Sequence, residues 1–164
     1  MRFRFVMFDW GDTIMKDVPS LKFPMYQWPE VELIEGAEEA LRSLHIKATL
    51  AIATGATQSD EADIRQALKR VKVDRYFDHI FCFKNTGFQK PSEEFYQYSL
   101  RRLDAKPSEV AMVGDSFAND VLAANQVGIF GIWLNQKGLE DMVGEQYKTI
   151  HSLGELSSIL MINQ

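Results

Sequence analysis

Four stretches of the chain place reactive side chains just beyond apolar runs. Phe3-Arg4-Phe5-Val6-Met7-Phe8 ends in Asp9, and Ala48-Thr49-Leu50-Ala51-Ile52-Ala53 ends in Thr54-Gly55. Val110-Ala111-Met112-Val113 ends in Gly114-Asp115-Ser116, with Asp120 shortly beyond. His79-Ile80-Phe81-Cys82-Phe83 is followed by a loop that carries Gly87 and Lys90. Short apolar runs bounded by turn residues predict buried strands. Gly11 and Asp12 turn the chain away from the first one. If the strands are parallel, their C-terminal ends converge on one edge of a sheet, which is where open α/β folds bind ligands.

Carboxylates, a hydroxyl beside a glycine and one lysine suit phosphoryl transfer to a carboxylate. One carboxylate attacks phosphorus. A second helps to hold Mg²⁺, a hard cation that prefers oxygen. A hydroxyl and backbone N–H groups at a helix start hold the phosphoryl oxygens. The lysine neutralises the remaining charge. Asp115 and Asp120 share no helical face, so Asp115 fits the loop and Asp120 the first helical turn, both reaching one pocket.

The elements that must position these groups alternate. Helices are predicted from about Gly36, over Ser59 to Arg70, Ser92 to Leu103, Phe117 to Gln126 and Leu153 to Met161, with further strands over Ile129 to Leu134 and near Tyr147 to Ile150. Strands alternating with helices imply βαβ units, a mainly parallel sheet and right-handed crossovers. Residues 1–164 read as a single domain. Within residues 14–30, Pro19, Pro24 and Pro29 forbid a regular helix. That segment reads equally as a packed surface loop or as a flap over the Asp9 turn.

Composition excludes several classes. Hydrophobic residues at 46% and charged residues at 25% are ordinary for a globular chain. A net charge of -5 argues against a nucleic-acid surface. No apolar run is long enough to span a membrane. Met1-Arg2-Phe3-Arg4 lacks a leader peptide's apolar region, and the single Cys82 makes no internal disulfide, so a cytoplasmic location is expected. Cys82, between Phe81 and Phe83, reads as core. His45, His79 and His151 are scattered without metal-ligand spacing.

Taken together, the motifs resemble the haloacid dehalogenase superfamily of phosphohydrolases. Asp9-Trp10-Gly11-Asp12-Thr13 matches its Asp-x-Asp-x-Thr motif at the first and last positions. Ala51-Ile52-Ala53-Thr54, Lys90-Pro91 and Gly114-Asp115-Ser116-Phe117-Ala118-Asn119-Asp120 match the later motifs in order. The resemblance implies a Rossmann-like three-layer sandwich with a mainly parallel sheet. It also implies Asp9 as nucleophile and Mg²⁺ ligand, Thr54 and Gly55 at the phosphate, and Lys90 steadying nucleophile and phosphate. Asp115 would bind Mg²⁺, with the Gly11 carbonyl and Asp120 in support. The intervals between motifs are filled by the elements above, so no separate cap domain is expected.

One position departs from the family pattern. Its phosphatases carry an acid–base Asp two residues after the nucleophile, where this chain has Gly11, and Asp12 falls one residue late. The expected function is therefore a Mg²⁺-dependent phosphomonoester hydrolase acting through an aspartyl-phosphate on Asp9. The alternative is a catalytically weakened relative that binds a phosphorylated ligand or partner. Either reading calls for a phosphorylated small molecule or macromolecule. A receiver-like signalling domain fits less well, because there the acidic pair precedes the phosphoacceptor.

Overall fold

A computed structural model describes residues 3–161. Met1 and Arg2, on which the leader-peptide expectation partly rests, lie outside the described residues, as do the last three positions of the expected single domain. Six strands form one sheet: β1 (Phe5–Phe8), β2 (Thr49–Ala53), β3 (His79–Phe81), β4 (Val110–Gly114), β5 (Phe130–Leu134) and β6 (Tyr147–Ile150). Their order is β3-β2-β1-β4-β5-β6, and every neighbouring pair is parallel. Phe8 pairs with Ile52 on one side and Val113 on the other, so the residues that follow these strands leave the sheet side by side.

The strands are buried on both faces, which is why they read as continuous apolar runs. Val6 and Phe8 point to one face with Leu50 and Ile52, and are covered by α1 (Ala37–His45), α2 (Glu61–Arg70) and α6 (Leu156–Met161). Phe5 and Met7 point to the other with Ala51 and Ala53, beneath α4 (Glu93–Leu103) and α5 (Ala123–Gln126). The fold is thus a three-layer, Rossmann-like α/β sandwich. A fully buried side chain such as Phe8 contributes about 1.5–3 kcal/mol.

Two local departures from the sequence expectation have clear causes. The third strand stops at Phe81, and Phe83–Thr86 form a single helical turn, α3. Asn85 closes that turn by accepting the Cys82 N–H at 3.0 Å, while its amide donates to the Ile80 carbonyl at 2.7 Å. The expected helix from Phe117 begins as a wide π-helical turn, Phe117–Leu122, before α5. Ser116 caps it by accepting the Asn119 N–H. Cys82 is fully buried, as its apolar neighbours imply. Among the described residues no helix is long and apolar enough to cross a membrane.

Candidate active site

Asp9 follows β1 directly and its backbone N–H still donates to the Val113 carbonyl at 2.9 Å. The chain then folds back tightly. The Trp10 carbonyl accepts from the N–H groups of Ile14 and Met15, and Asp12 takes the left-handed conformation at φ 57°. The positive φ that the turn requires therefore falls on Asp12, and Gly11 has no such conformation. Asp is among the few residues that visit this region readily. The Asp12 carboxylate accepts the backbone N–H of Asp17 at 3.0 Å, fixing the returning limb of the turn.

Lys90 is the electrostatic hub. Its ammonium lies 2.7 Å from Asp9 Oδ1, 2.7 Å from Asp120 Oδ1 and 2.8 Å from the Ala53 carbonyl. The Asp9 and Ala53 contacts are hydrogen bonds and the Asp120 contact is a buried ion pair, so the ammonium is held on three sides. Burial alone would lower the Lys90 pKa, but Asp9 and Asp120 outweigh it and hold the group above its ordinary value.

Asp120 is almost fully buried and its second oxygen accepts the Ser116 N–H at 3.0 Å. A Cβ on Gly114 would sit 2.0 Å from Asp120 Oδ2, so glycine is needed there for the carboxylate to pack against β4. Asp115 is half-buried. Its backbone N–H donates to Thr13 Oγ1 at 3.1 Å, and the Thr13 hydroxyl lies 3.3 Å from Asp115 Oδ1. The Asp115 carbonyl accepts the indole N–H of Trp133 at 3.0 Å.

Carboxylate oxygens of Asp9, Asp115 and Asp120 lie within 4.8 Å of one another. Burial, then the Asp9 charge, raises the Asp115 pKa to about 7. Burial also raises Asp120, to about 6, against the opposing pull of Lys90. Three carboxylates share a single ammonium, and the negative excess that raises Asp115 is what a divalent cation would relieve. The all-oxygen donor set fits Mg²⁺.

Beside this cluster opens a pocket of about 420 Å³. Asp9, Gly11 and Asp17 form one wall, and Thr54, Gly55 and the residues to Ser59 form another. Leu21, Phe23, Met25 and Trp28 supply an apolar side. Arg70 of α2 anchors that side: its guanidinium donates to the carbonyls of Tyr26, Trp28 and Pro29. The Trp28 indole N–H is bonded to the Phe23 carbonyl at 2.8 Å. The structure thus brings Asp9, Gly11, Thr54, Gly55, Lys90, Asp115 and Asp120 to one sheet edge, as the sequence predicts.

Residues 12–134 match the family described as haloacid dehalogenase-like hydrolase. The chain belongs to this family. It is 31% identical over 97 residues to a glyceraldehyde 3-phosphate phosphatase of Methanocaldococcus jannaschii, covering 58% of this chain and 42% of that protein. It is 33% identical over 101 residues to a ribulose-1,5-bisphosphate 5-phosphatase of Halopiger xanaduensis, covering 61% and 41% respectively. The chain therefore spans less than half the length of these relatives. An uncharacterized protein from Listeria monocytogenes serotype 4b has the same fold, with a TM-score of 0.85, 25% identity and 98% of each chain covered.

Several neighbours of this hydrolase-family site were not foreseen from the motifs. The Trp133 contact with Asp115 depends on a tryptophan at the end of β5, the next strand over. Tyr96 is buried and donates its hydroxyl to the Asn119 carbonyl at 2.8 Å, tying α4 to the turn that carries Asp120. Asp17 carries no motif signal, because only the fold-back of the turn brings it to the pocket.

Proposed function

We propose that the chain is a Mg²⁺-dependent phosphomonoester hydrolase that passes its phosphoryl group through Asp9. The observation that carries this reading is the buried Lys90–Asp9 contact beside a pocket lined by Asp9, Thr54 and Gly55. Lys90 holds one Asp9 oxygen and leaves the other to face phosphorus. Asp9 attacks, the ester oxygen leaves, and water then cleaves the aspartyl-phosphate to restore Asp9. The Thr54 hydroxyl and N–H groups beyond Gly55 lie on the wall where phosphoryl oxygens would rest.

Asp9 and Asp115 would hold Mg²⁺, while Asp120, occupied by Lys90 and the Ser116 N–H, contributes charge and fixes Lys90. A bound Mg²⁺ supplies charge neutralisation to the phosphoryl group. The parts of the segment 14–30 that line the pocket act as its flap, with the substrate's apolar portion against Leu21, Phe23 and Met25. The similarity to phosphatases of glyceraldehyde 3-phosphate and ribulose-1,5-bisphosphate supports a phosphorylated small molecule as substrate.

The test is release of inorganic phosphate from a panel of phosphomonoesters with and without Mg²⁺. Mg²⁺-dependent release that disappears in Asp9→Asn is expected. A weakened, binding-only protein is the second reading, favoured by Gly11. It predicts saturable binding of the same esters with no phosphate released.

A further inference from the structure

Resting on the phosphatase reading, we propose that Asp17 donates and accepts the proton for which position 11 has no side chain. A Cβ built on Gly11 would lie 3.4 Å from Asp17 Cβ, 3.7 Å from its Cγ and 4.0 Å from Oδ2. The Asp17 carboxylate therefore stands beside the space that a side chain at position 11 would enter, six residues later in the chain. Of the residues lining the pocket, only Asp9 and Asp17 carry carboxylates. Among the described residues no protein group pairs with the Asp17 carboxylate, whereas its backbone is fixed by Asp12.

Lys90, Asp115 and Asp12, titratable groups near the Asp9 turn, are engaged elsewhere or face another recess. The Lys90 ammonium is held by Asp9, Asp120 and the Ala53 carbonyl. Asp115 lies on the β5 side, in a separate recess with Asp12, Trp133 and Asn135, and does not line the pocket that holds Thr54. The Asp12 carboxylate is bound to the Asp17 N–H and acts as a positioning residue.

The proton balance is simple. As an Asp9 oxygen bonds to phosphorus, the bond from phosphorus to the ester oxygen breaks, and protonated Asp17 gives its proton to that oxygen, releasing an alcohol. Ionised Asp17 then takes a proton from the water that attacks the aspartyl-phosphate. The bond from phosphorus to Asp9 breaks, inorganic phosphate leaves, and Asp17 is again protonated.

The experiment compares the full chain with Asp17→Asn on phosphate esters whose leaving-group pKa runs from about 7 to 15. Positioned acid–base catalysis is worth about 10² to 10⁴ in rate and matters most for poor leaving groups. In single-turnover measurements Asp17→Asn should lower phosphorylation by alkyl phosphates about 100-fold or more and phosphorylation by p-nitrophenyl phosphate only a few-fold. Gly11→Asp placed in the Asp17→Asn background should restore alkyl turnover, because its Cβ contacts are of ordinary length and its φ is not left-handed. Asp12→Ala should show the same leaving-group signature, and Asp12→Asn, which keeps an acceptor for the Asp17 N–H, should not. Equal losses in the phosphorylation step on aryl and alkyl esters, or no loss, would overturn the role of Asp17 alone. A wild-type chain inert toward every ester would overturn the phosphatase reading and the Asp17 role together.

Discussion

Lys90 reaches Asp9 from the loop beyond β3 and closes a 2.7 Å ion pair in which the lysine side chain is only 5% exposed. The same ammonium neutralises Asp120, whose side chain is 1% exposed. Removing one partner of a buried pair strands the other, at a cost of about 3–5 kcal/mol. Lys90→Met should therefore lose about that much stability in urea unfolding at pH 7. The loss should shrink at pH 5, where Asp120, already raised by burial and no longer opposed by Lys90, takes up a proton. An equal loss at both pH values would place the defect in packing instead.

Asp9→Asn should abolish turnover without harming the fold. Its carboxylate is one of three that crowd the site, so neutralising it relieves repulsion on Asp115 even as it weakens the Lys90 pair. The expected result is a rate loss of several orders of magnitude with unchanged circular dichroism. A folded variant retaining about a tenth of the rate would remove Asp9 from the nucleophile's role.

Mg²⁺ should protect the protein more in alkaline than in acid solution. Asp115 and Asp120 have folded pKa values raised to about 7 and about 6, above the ordinary 3.8. A raised acid favours the folded state below its unfolded pKa, and that contribution is lost as pH rises through the folded value. Between pH 4 and 7 the metal-free protein therefore loses stability from this cluster. Metal must displace the same protons, so a fixed Mg²⁺ concentration should raise Tm more at pH 8 than at pH 5.5. Thermal scans at both pH values check this, and Asp115→Ala should remove most of the difference.

The two aromatics of the pocket's apolar side should separate binding from stability. Phe23 is 42% exposed and Trp28 is 5% exposed with its indole N–H bonded. Phe23→Ala should raise KM with little change in Tm. Trp28→Ala should cost about 3–5 kcal/mol, as for large core truncations. Paired chemical denaturation and steady-state kinetics measure both.

Much of the site was legible because buried parallel strands write themselves as unbroken apolar runs. Asp9, Thr54 and Asp115 could be placed at one sheet edge from such runs alone. Lys90 was legible as a cation in the loop beyond the third strand, but the helical turn in that loop was not, because the run through Phe83 concealed it. The side chain of Asn85, not hydrophobic periodicity, ends that strand. Asp12 illustrates a different limit. Its place one residue late left its own role open, and the left-handed backbone turns its carboxylate to the Asp17 N–H. Nothing in residue spacing reports a backbone angle, and so Asp17 itself stayed hidden.

The strand order has a consequence for how the protein comes into being. β1 lies between β2 and β4, and Phe8 pairs with Val113 across most of the chain. While the polypeptide is being synthesised, β1, β2 and β3 can associate, but one side of β1 remains an unpaired edge until β4 emerges. Long-range pairing of this kind slows folding. Until it happens, Asp9 has neither Asp115 nor Asp120 beside it, and Lys90 lacks its second carboxylate. Asp9 thus emerges well before the carboxylates that flank it, and the cluster is complete only when the central seam of the sheet closes.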